Sequence, residues 1–185
     1  MRHVPPLRMF DDTLVIVKLF GATRPDPRFP MRWITRERPK IDRVACPWLI
    51  TRFIDPAAEF LFAPPAAVHA RAAELNAIPY DVEGVELSHD GPRCSFDAFL
   101  RKYGLTDAAL QELAVIIRGA DTDRLDLAPQ SAGLLAISLG LSRLFPDDHD
   151  LLSRGFLLYD ALYEWLRHAK SDRHSWNPQR VPAPV

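Results

Sequence analysis

RWITRERPKIDRVACPWLITRFIDPAAEFLF, residues 32–62, is the stretch that decides the fold class. Two short runs rich in β-branched and aromatic residues, 32–35 and 59–62, are typical of strands. Pro47 suits the first turn of a helix, where its missing N–H is harmless, so we predict a helix over 48–54 that ends before Pro56. A strand, a helix and a second strand place a small sheet in the N-terminal half.

The remainder of the chain predicts helices. Pro65 opens a helix to about residue 76, short strands follow over 79–87, and Ser95 caps a helix that reaches Tyr103. Three further helices are predicted: one from Thr106 that closes at Gly119, one over 131–144, and a long one capped by Asp147 or Asp148. We therefore predict an α+β fold: a single helix-rich domain with a small β-sheet in the N-terminal half and a helical C-terminal half.

The helix over 131–144 is apolar on nearly all sides, which is typical of a central buried helix. Its small residues Gly133, Ala136 and Gly140 offer a face for close contact with another helix.

Domain boundaries follow from proline and polar residues. Five of the 17 prolines lie in residues 1–30, which we interpret as a Pro-rich N-terminal arm that folding does not require. Residues 31–170 form the predicted domain, and the polar, Pro-rich residues 171–185 form a C-terminal tail.

Charge and cysteine content exclude several classes of protein. With 23 Lys+Arg against 24 Asp+Glu, the net charge of -1 argues against a domain that holds nucleic acid by its phosphates. No apolar run is long enough to span a membrane. Two cysteines cannot form a disulfide framework, and the N-terminus is a poor secretory signal, so we expect a cytoplasmic protein.

Basic residues cluster just before the predicted helix start at Cys46-Pro47. Arg36, Arg38, Lys40 and Arg43 are candidates for binding an anion, because guanidinium groups and free backbone N–H groups converge at a helix N-terminus. The alternative is a solvated basic turn.

Both cysteines precede predicted helices. A helix N-terminus and nearby arginines lower the pKa of a thiol, which makes Cys46 and Cys94 candidate redox thiols. The alternative is that each is a small buried hydrophobic residue.

Histidines and aspartates in predicted loops are the candidate metal ligands. His89, Asp121, Asp123 and His149 suit a divalent metal such as Mn, Fe or Zn. The alternative for the aspartates is a role in turns and helix caps. The sequence contains no G-x-G-x-x-G, Walker A, G-x-S-x-G or H-E-x-x-H motif.

Five segments in order resemble one family: WITRERPKIDR (33–43), ACPWLI (45–50), ELSH (86–89), CSFD (94–97) and RGAD (118–121). The chain thereby resembles the bacterial chromate-resistance family, known as the C-terminal domain of ChrB-type chromate-operon proteins, over residues 31–167. The resemblance implies participation in chromate resistance. Longer members are chromate-responsive regulators, but residues 1–30 are too short for their extra N-terminal domain, so we expect no direct contact with nucleic acid.

Three hypotheses follow. The first is a sensor or accessory domain that binds a tetrahedral oxyanion such as chromate, with Cys46 as a thiol reporter. The second is a metal-dependent enzyme that uses the histidine and aspartate site. The third is an interaction module whose basic strip docks on a regulatory protein partner.

Overall fold

The computed structural model describes residues 30–173. Three parallel strands, β1 (Arg32–Arg36), β2 (Glu59–Ala63) and β3 (Ile78–Pro79), form one sheet in the order β2-β1-β3. In the register, Trp33 of β1 lies between Phe60 of β2 and Ile78 of β3. The predicted arm, apart from Pro30, and most of the predicted tail lie outside the described residues, so these two interpretations stay predictions.

Six α-helices in the described part of the chain pack against this sheet and against one another. They are α1 (Asp42–Leu49), α2 (Val68–Leu75), α3 (Ser95–Lys102), α4 (Ala108–Asp121), α5 (Ser131–Leu144) and α6 (Asp148–Glu164). Turns of π-helix, Ile50–Ile54 and Trp165–Ala169, extend α1 and α6. The predicted α+β class, with its small sheet in the N-terminal half, is confirmed. Within residues 30–173, no helix is long and apolar enough to cross a membrane.

Alternation along β1 divides the core between the two faces of the sheet. Trp33 lies in the larger core, which residues of α1, α3, α4 and α6 complete. Ile34, the next residue, lies in a smaller core with Val68 and Ala72 of α2. Helices therefore cover both faces, and the carboxyl ends of all three strands meet at one edge of the sheet, where open parallel sheets commonly bind ligands.

Helix α1 begins six residues before the predicted start. Pro47 lies inside it rather than in its first turn. A proline inside a helix costs about 3 kcal/mol. Val44, Trp48 and Leu49 are all buried, and each buried side chain of this size stabilises the fold by about 1.5–3 kcal/mol. Packing therefore outweighs the proline, and Cys46 moves from the predicted helix start into the helix interior.

Helix α5 has its predicted bounds, but its predicted burial is wrong. The residues it buries are Ser131, Leu134, Ser138 and Ser142, whereas Leu144 is 72% exposed. Its neighbours α4 and α6 cover only one face. A Cβ added at Gly133 or Gly140 would have no atom within 4 Å, so these glycines make no close helix contact.

The close contact between α4 and α5 lies at Gly119. The sequence predicted that α4 ends at this glycine. The helix instead continues to Asp121. A Cβ at position 119 would clash with the side chain of Ser131 on α5 and lie 2.9 Å from the carbonyl oxygen of Arg124.

Substituting these glycines gives a matched test of that packing. Gly119→Ala is expected to lower the free energy of unfolding by about 1–3 kcal/mol, because the new methyl group forces the two helices apart. Gly133→Ala, in open space on α5, is expected to raise it by about 0.5–1 kcal/mol through helix propensity. Urea denaturation measures both values, and an equal effect of the two substitutions would contradict the proposed close approach.

Candidate functional site

Three aspartate side chains and one histidine side chain lie together at the carboxyl edge of the sheet. Asp81 follows β3 by two residues, and His89 lies in the segment between β3 and α3. Asp42 is the first residue of α1, and Asp121 is the last residue of α4. The fold thus brings together residues that are up to 79 positions apart in the sequence.

One imidazole nitrogen faces three carboxylates. The Nε2 atom of His89 lies 3.1 Å from Asp121 Oδ2, 3.3 Å from Asp42 Oδ2 and 3.4 Å from Asp81 Oδ1. A histidine nitrogen carries at most one proton, so it can donate a good hydrogen bond to only one of these three oxygens.

A metal ion would contact the imidazole nitrogen and the carboxylates of Asp42 and Asp121 at once. Metal–ligand bonds of roughly 2.0–2.1 Å place neighbouring ligand atoms roughly 2.9–3.4 Å apart in octahedral or tetrahedral geometry. The three distances from His89 fall in that range. Among residues 30–173, Asp42, His89 and Asp121 are the group of side chains close enough together to hold a metal ion. One imidazole with several carboxylates is a donor set that suits Mn, Fe or Zn.

The electrostatics of the site reflect this crowding. Burial raises the pKa of Asp42 to about 7, and the charges of Asp81 and Asp121 add to the effect. The contact with Asp121, followed by those with Asp42 and Asp81, raises the pKa of His89 to about 12. Burial opposes ionisation of Asp81, but hydrogen bonds from His89, Ser95 and Arg36 keep its pKa below the usual value. Among the described residues, a proton on His89 and nearby arginines compensate this negative charge.

Two arginines complete the site. Arg36 Nη2 lies 2.6 Å from Asp81 Oδ2, and Arg43 Nε lies 3.3 Å from the same oxygen. Arg36 and His89 line a cleft of about 420 Å³. The side chain of His89 is 41% exposed, so this cleft connects the buried carboxylates with solvent. The other residues lining the cleft are Pro65, His69, Asp81, Val82, Glu83 and Ser88.

Sequence reasoning found half of this cluster. His89 and Asp121 were predicted ligands, and the structure brings them together. Asp123 is exposed in a left-handed backbone conformation (φ 57°) and is not part of the group. His149, in the first turn of α6, is also outside it and packs its exposed ring against Phe62.

Comparison with known proteins identifies the family. Residues 33–166 match the family described as ChrB, C-terminal domain. The chain is 35% identical over 133 residues to Protein ChrB of Cupriavidus metallidurans. The chain belongs to the ChrB C-terminal domain family. The alignment covers 71% of this chain and 40% of that relative. No solved structure matches the chain.

The four cations predicted to bind an anion in this ChrB-family chain have different partners in the structure. Arg38 is held by Asp148 through its backbone N–H and donates from its guanidinium to the carbonyl oxygens of Ser142, Phe145 and Pro146. Arg43 Nη1 donates to the carbonyl oxygens of Arg36 and Glu37. Lys40 is exposed. Of the four predicted cations, Arg36 and Arg43 reach the carboxylate site.

Both thiols of this ChrB-family chain are buried. Burial raises the pKa of Cys46 well above its usual value, and the charge of Asp42 adds to it. Burial and the charge of Asp42 also raise the pKa of Cys94, which precedes α3. These shifts are opposite to the lowered pKa expected of a reactive thiol.

Thiol reactivity checks this directly. We expect the folded protein at neutral pH to react slowly with Ellman's reagent, because thiolates are the reactive form and both sulfurs are buried. Both cysteines should react rapidly after denaturation in guanidinium. Rapid reaction of one thiol in the folded protein, lost in Cys46→Ser or Cys94→Ser, would contradict the conclusion that both thiols are unreactive there.

Proposed function

We propose that this chain acts in chromate resistance by holding a divalent first-row metal on Asp42, His89 and Asp121. We further propose that a tetrahedral oxyanion such as chromate binds at the open side of that metal. The observation that supports the metal is the single imidazole nitrogen within 3.1–3.4 Å of three carboxylate oxygens. Membership of the ChrB family supports the connection to chromate resistance.

A metal ion contacts several of these oxygens at once, whereas a proton on His89 does not. Three carboxylates around one imidazole repel one another, and a proton on Nε2 satisfies one of them at a time. A divalent ion bonded to His89 contacts the carboxylates of Asp42 and Asp121 together and keeps the remaining coordination positions for water or a ligand.

Charge and access favour an anion as that ligand. With a divalent ion in place and His89 neutral, the metal, Arg36 and Arg43 together exceed the three ionised carboxylates by one positive charge. Arg36 lies in the wall of the cleft, and its guanidinium has donors that Asp81 does not use. A tetrahedral dianion can therefore contact the metal on one side and Arg36 on the other.

Metal titration tests the first half of the proposal. Chelator-treated protein should take up one equivalent of Mn²⁺, Co²⁺ or Zn²⁺, measured by calorimetry and by elemental analysis after gel filtration. Mg²⁺ at the same concentration is the control, because the imidazole ligand favours transition metals. Uptake of none of the three transition metals would refute the metal site.

Arg36 tests the second half. Sulfate, a tetrahedral dianion that does not oxidise thiols, should bind the metal-loaded protein more tightly than the metal-free protein. Arg36→Gln should weaken this binding roughly 10–150-fold, because a charge-assisted hydrogen bond contributes about 1.5–3 kcal/mol. Arg32→Gln is the matched control, since Arg32 lies on the same strand but binds the exposed Glu59.

Calorimetry at constant ionic strength, with chloride in place of sulfate, separates binding from screening. Equal sulfate binding with and without the metal, unchanged in Arg36→Gln, would refute the oxyanion site while leaving the metal site in place.

A further inference from the structure

Ser95 forms hydrogen bonds with two of the site's carboxylates, Asp42 and Asp81. It is the first residue of α3 and is fully buried. Its backbone N–H donates to Asp42 Oδ2 at 3.2 Å, and its hydroxyl donates to Asp81 Oδ1 at 2.8 Å. A single residue therefore holds side chains from two separate segments of the chain.

The oxygens that Ser95 contacts are those that face the imidazole. Asp42 Oδ2 and Asp81 Oδ1 are the atoms that lie 3.3 Å and 3.4 Å from His89 Nε2. The second oxygen of Asp81 is held by Arg36 and Arg43 on the other side. Without the serine hydroxyl, this carboxylate would keep its contacts with the arginines and with His89 but lose its shortest contact on the Oδ1 side.

Helix α3 is itself fixed relative to the helix that carries Asp121. Asp97, two residues after Ser95, accepts hydrogen bonds from Arg118 of α4 at 2.6 Å and 3.0 Å. Asp97 also accepts the backbone N–H of Cys94 at 3.1 Å, which caps the start of α3. The start of α3 thus lies at a fixed distance from the last turn of α4.

We propose that Ser95 is a positioning residue that sets the metal affinity of the site by holding the proposed ligand Asp42 and the neighbouring Asp81 beside His89. This inference rests on the proposed metal-binding function. Groups that hydrogen-bond to metal ligands fix their orientation and basicity, and their loss typically lowers metal affinity roughly 10–100-fold. In the sequence, Ser95 indicated only a helix cap, and in the structure Cys94 occupies the cap position.

Cobalt titration of the full chain tests the role. Ser95→Ala removes the hydroxyl that holds Asp81 beside His89 but keeps the backbone N–H to the ligand Asp42, so we expect Co²⁺ affinity to fall about 10-fold, the lower end of the range for groups around metal ligands. The visible absorption of the bound Co²⁺, which reports ligand geometry, should also change. Ser95→Thr keeps a hydroxyl and should recover part of the affinity.

Ser131→Ala is the matched control. Ser131 is another fully buried serine at the start of a helix, and its hydroxyl donates to the carbonyl oxygen of Ile116 at 3.0 Å. Ser131→Ala should lower the thermal unfolding midpoint without changing the Co²⁺ affinity or the visible absorption of bound Co²⁺.

Each outcome decides a separate point. Unchanged affinity and absorption in Ser95→Ala, or an equal loss of affinity in Ser131→Ala, would overturn the positioning role while the metal site stands. Failure of the unaltered chain to bind Co²⁺ would overturn the proposed function and, with it, the role of Ser95. Where Ser95→Thr does not fold, the comparison of the two alanine variants gives the answer.

Discussion

Replacing His89 by alanine is expected to abolish metal binding. His89 Nε2 is the atom around which the oxygens of Asp42, Asp81 and Asp121 gather at 3.1–3.4 Å. Its removal takes away the only nitrogen ligand and leaves carboxylates that bind transition metals without selectivity. We expect the affinity for Co²⁺ or Zn²⁺ to fall by more than about 100-fold, beyond the range for residues that only support a ligand.

Calorimetry and Co²⁺ absorption measure this loss, and two other histidines provide controls. His149→Ala should leave affinity unchanged, because His149 packs on Phe62 outside the group. His69→Ala removes another side chain of the cleft, whose Nε2 contacts the carbonyl oxygen of Glu83, and should also leave metal affinity unchanged. Retention of full affinity in His89→Ala would place the metal elsewhere.

The fold class could be predicted because it depends on local patterns. Both long strands appear in the sequence as short β-branched and aromatic runs, and the observed strands, Arg32–Arg36 and Glu59–Ala63, exceed the predicted ones by one residue each. The bounds of α5 were also correct, because Phe145 and Pro146 follow its apolar run.

The errors arose where tertiary contacts outweigh local preference. Pro47 indicated a helix start, but the buried side chains of α1 extend the helix to Asp42. Gly119 indicated a helix end, but there the glycine allows α4 and α5 to approach closely. The apolar character of α5 indicated a central helix, yet only its serine-rich side meets the core. Which side of a helix is buried depends on the elements that pack against it, and the sequence of the helix does not identify these elements.

The candidate site was only partly predictable for a similar reason. His89 and Asp121 stood out because histidine and aspartate in loops are typical of metal ligands. Asp42 lies among the basic residues before Cys46, and Asp81 lies within the predicted strands over 79–87, so nothing local marked either as a ligand. The parallel sheet brings both to His89, and parallel strand ends are brought together by long connections. Arg36 was predicted to bind an external anion, and in the structure it already binds Asp81.

Replacing Arg118 by alanine is expected to give the largest loss of stability among these predictions. Arg118 of α4 binds both oxygens of Asp97 on α3, and the side chains are 25% and 11% exposed. Removing one partner of a buried ion pair costs about 3–5 kcal/mol, because the other charge is left uncompensated. The partial exposure of Arg118 places the expected loss near the lower end, about 3 kcal/mol.

Thermal unfolding should report this as a decrease in Tm of roughly 6–12 °C for a chain of this size. Arg124→Ala is the matched control, since Arg124 binds Asp126 bidentately but both side chains are more than half exposed, at 59% and 65%. An exposed pair contributes about 0–1 kcal/mol, so Tm should change little.

A double variant, Arg118→Ala with Asp97→Asn, should recover part of the loss, because no unpaired carboxylate then remains between α3 and α4. Equal shifts in the two arginine variants would show that Arg118 acts as a surface charge. The alignment of α3 with Asp121 would then depend on core packing alone.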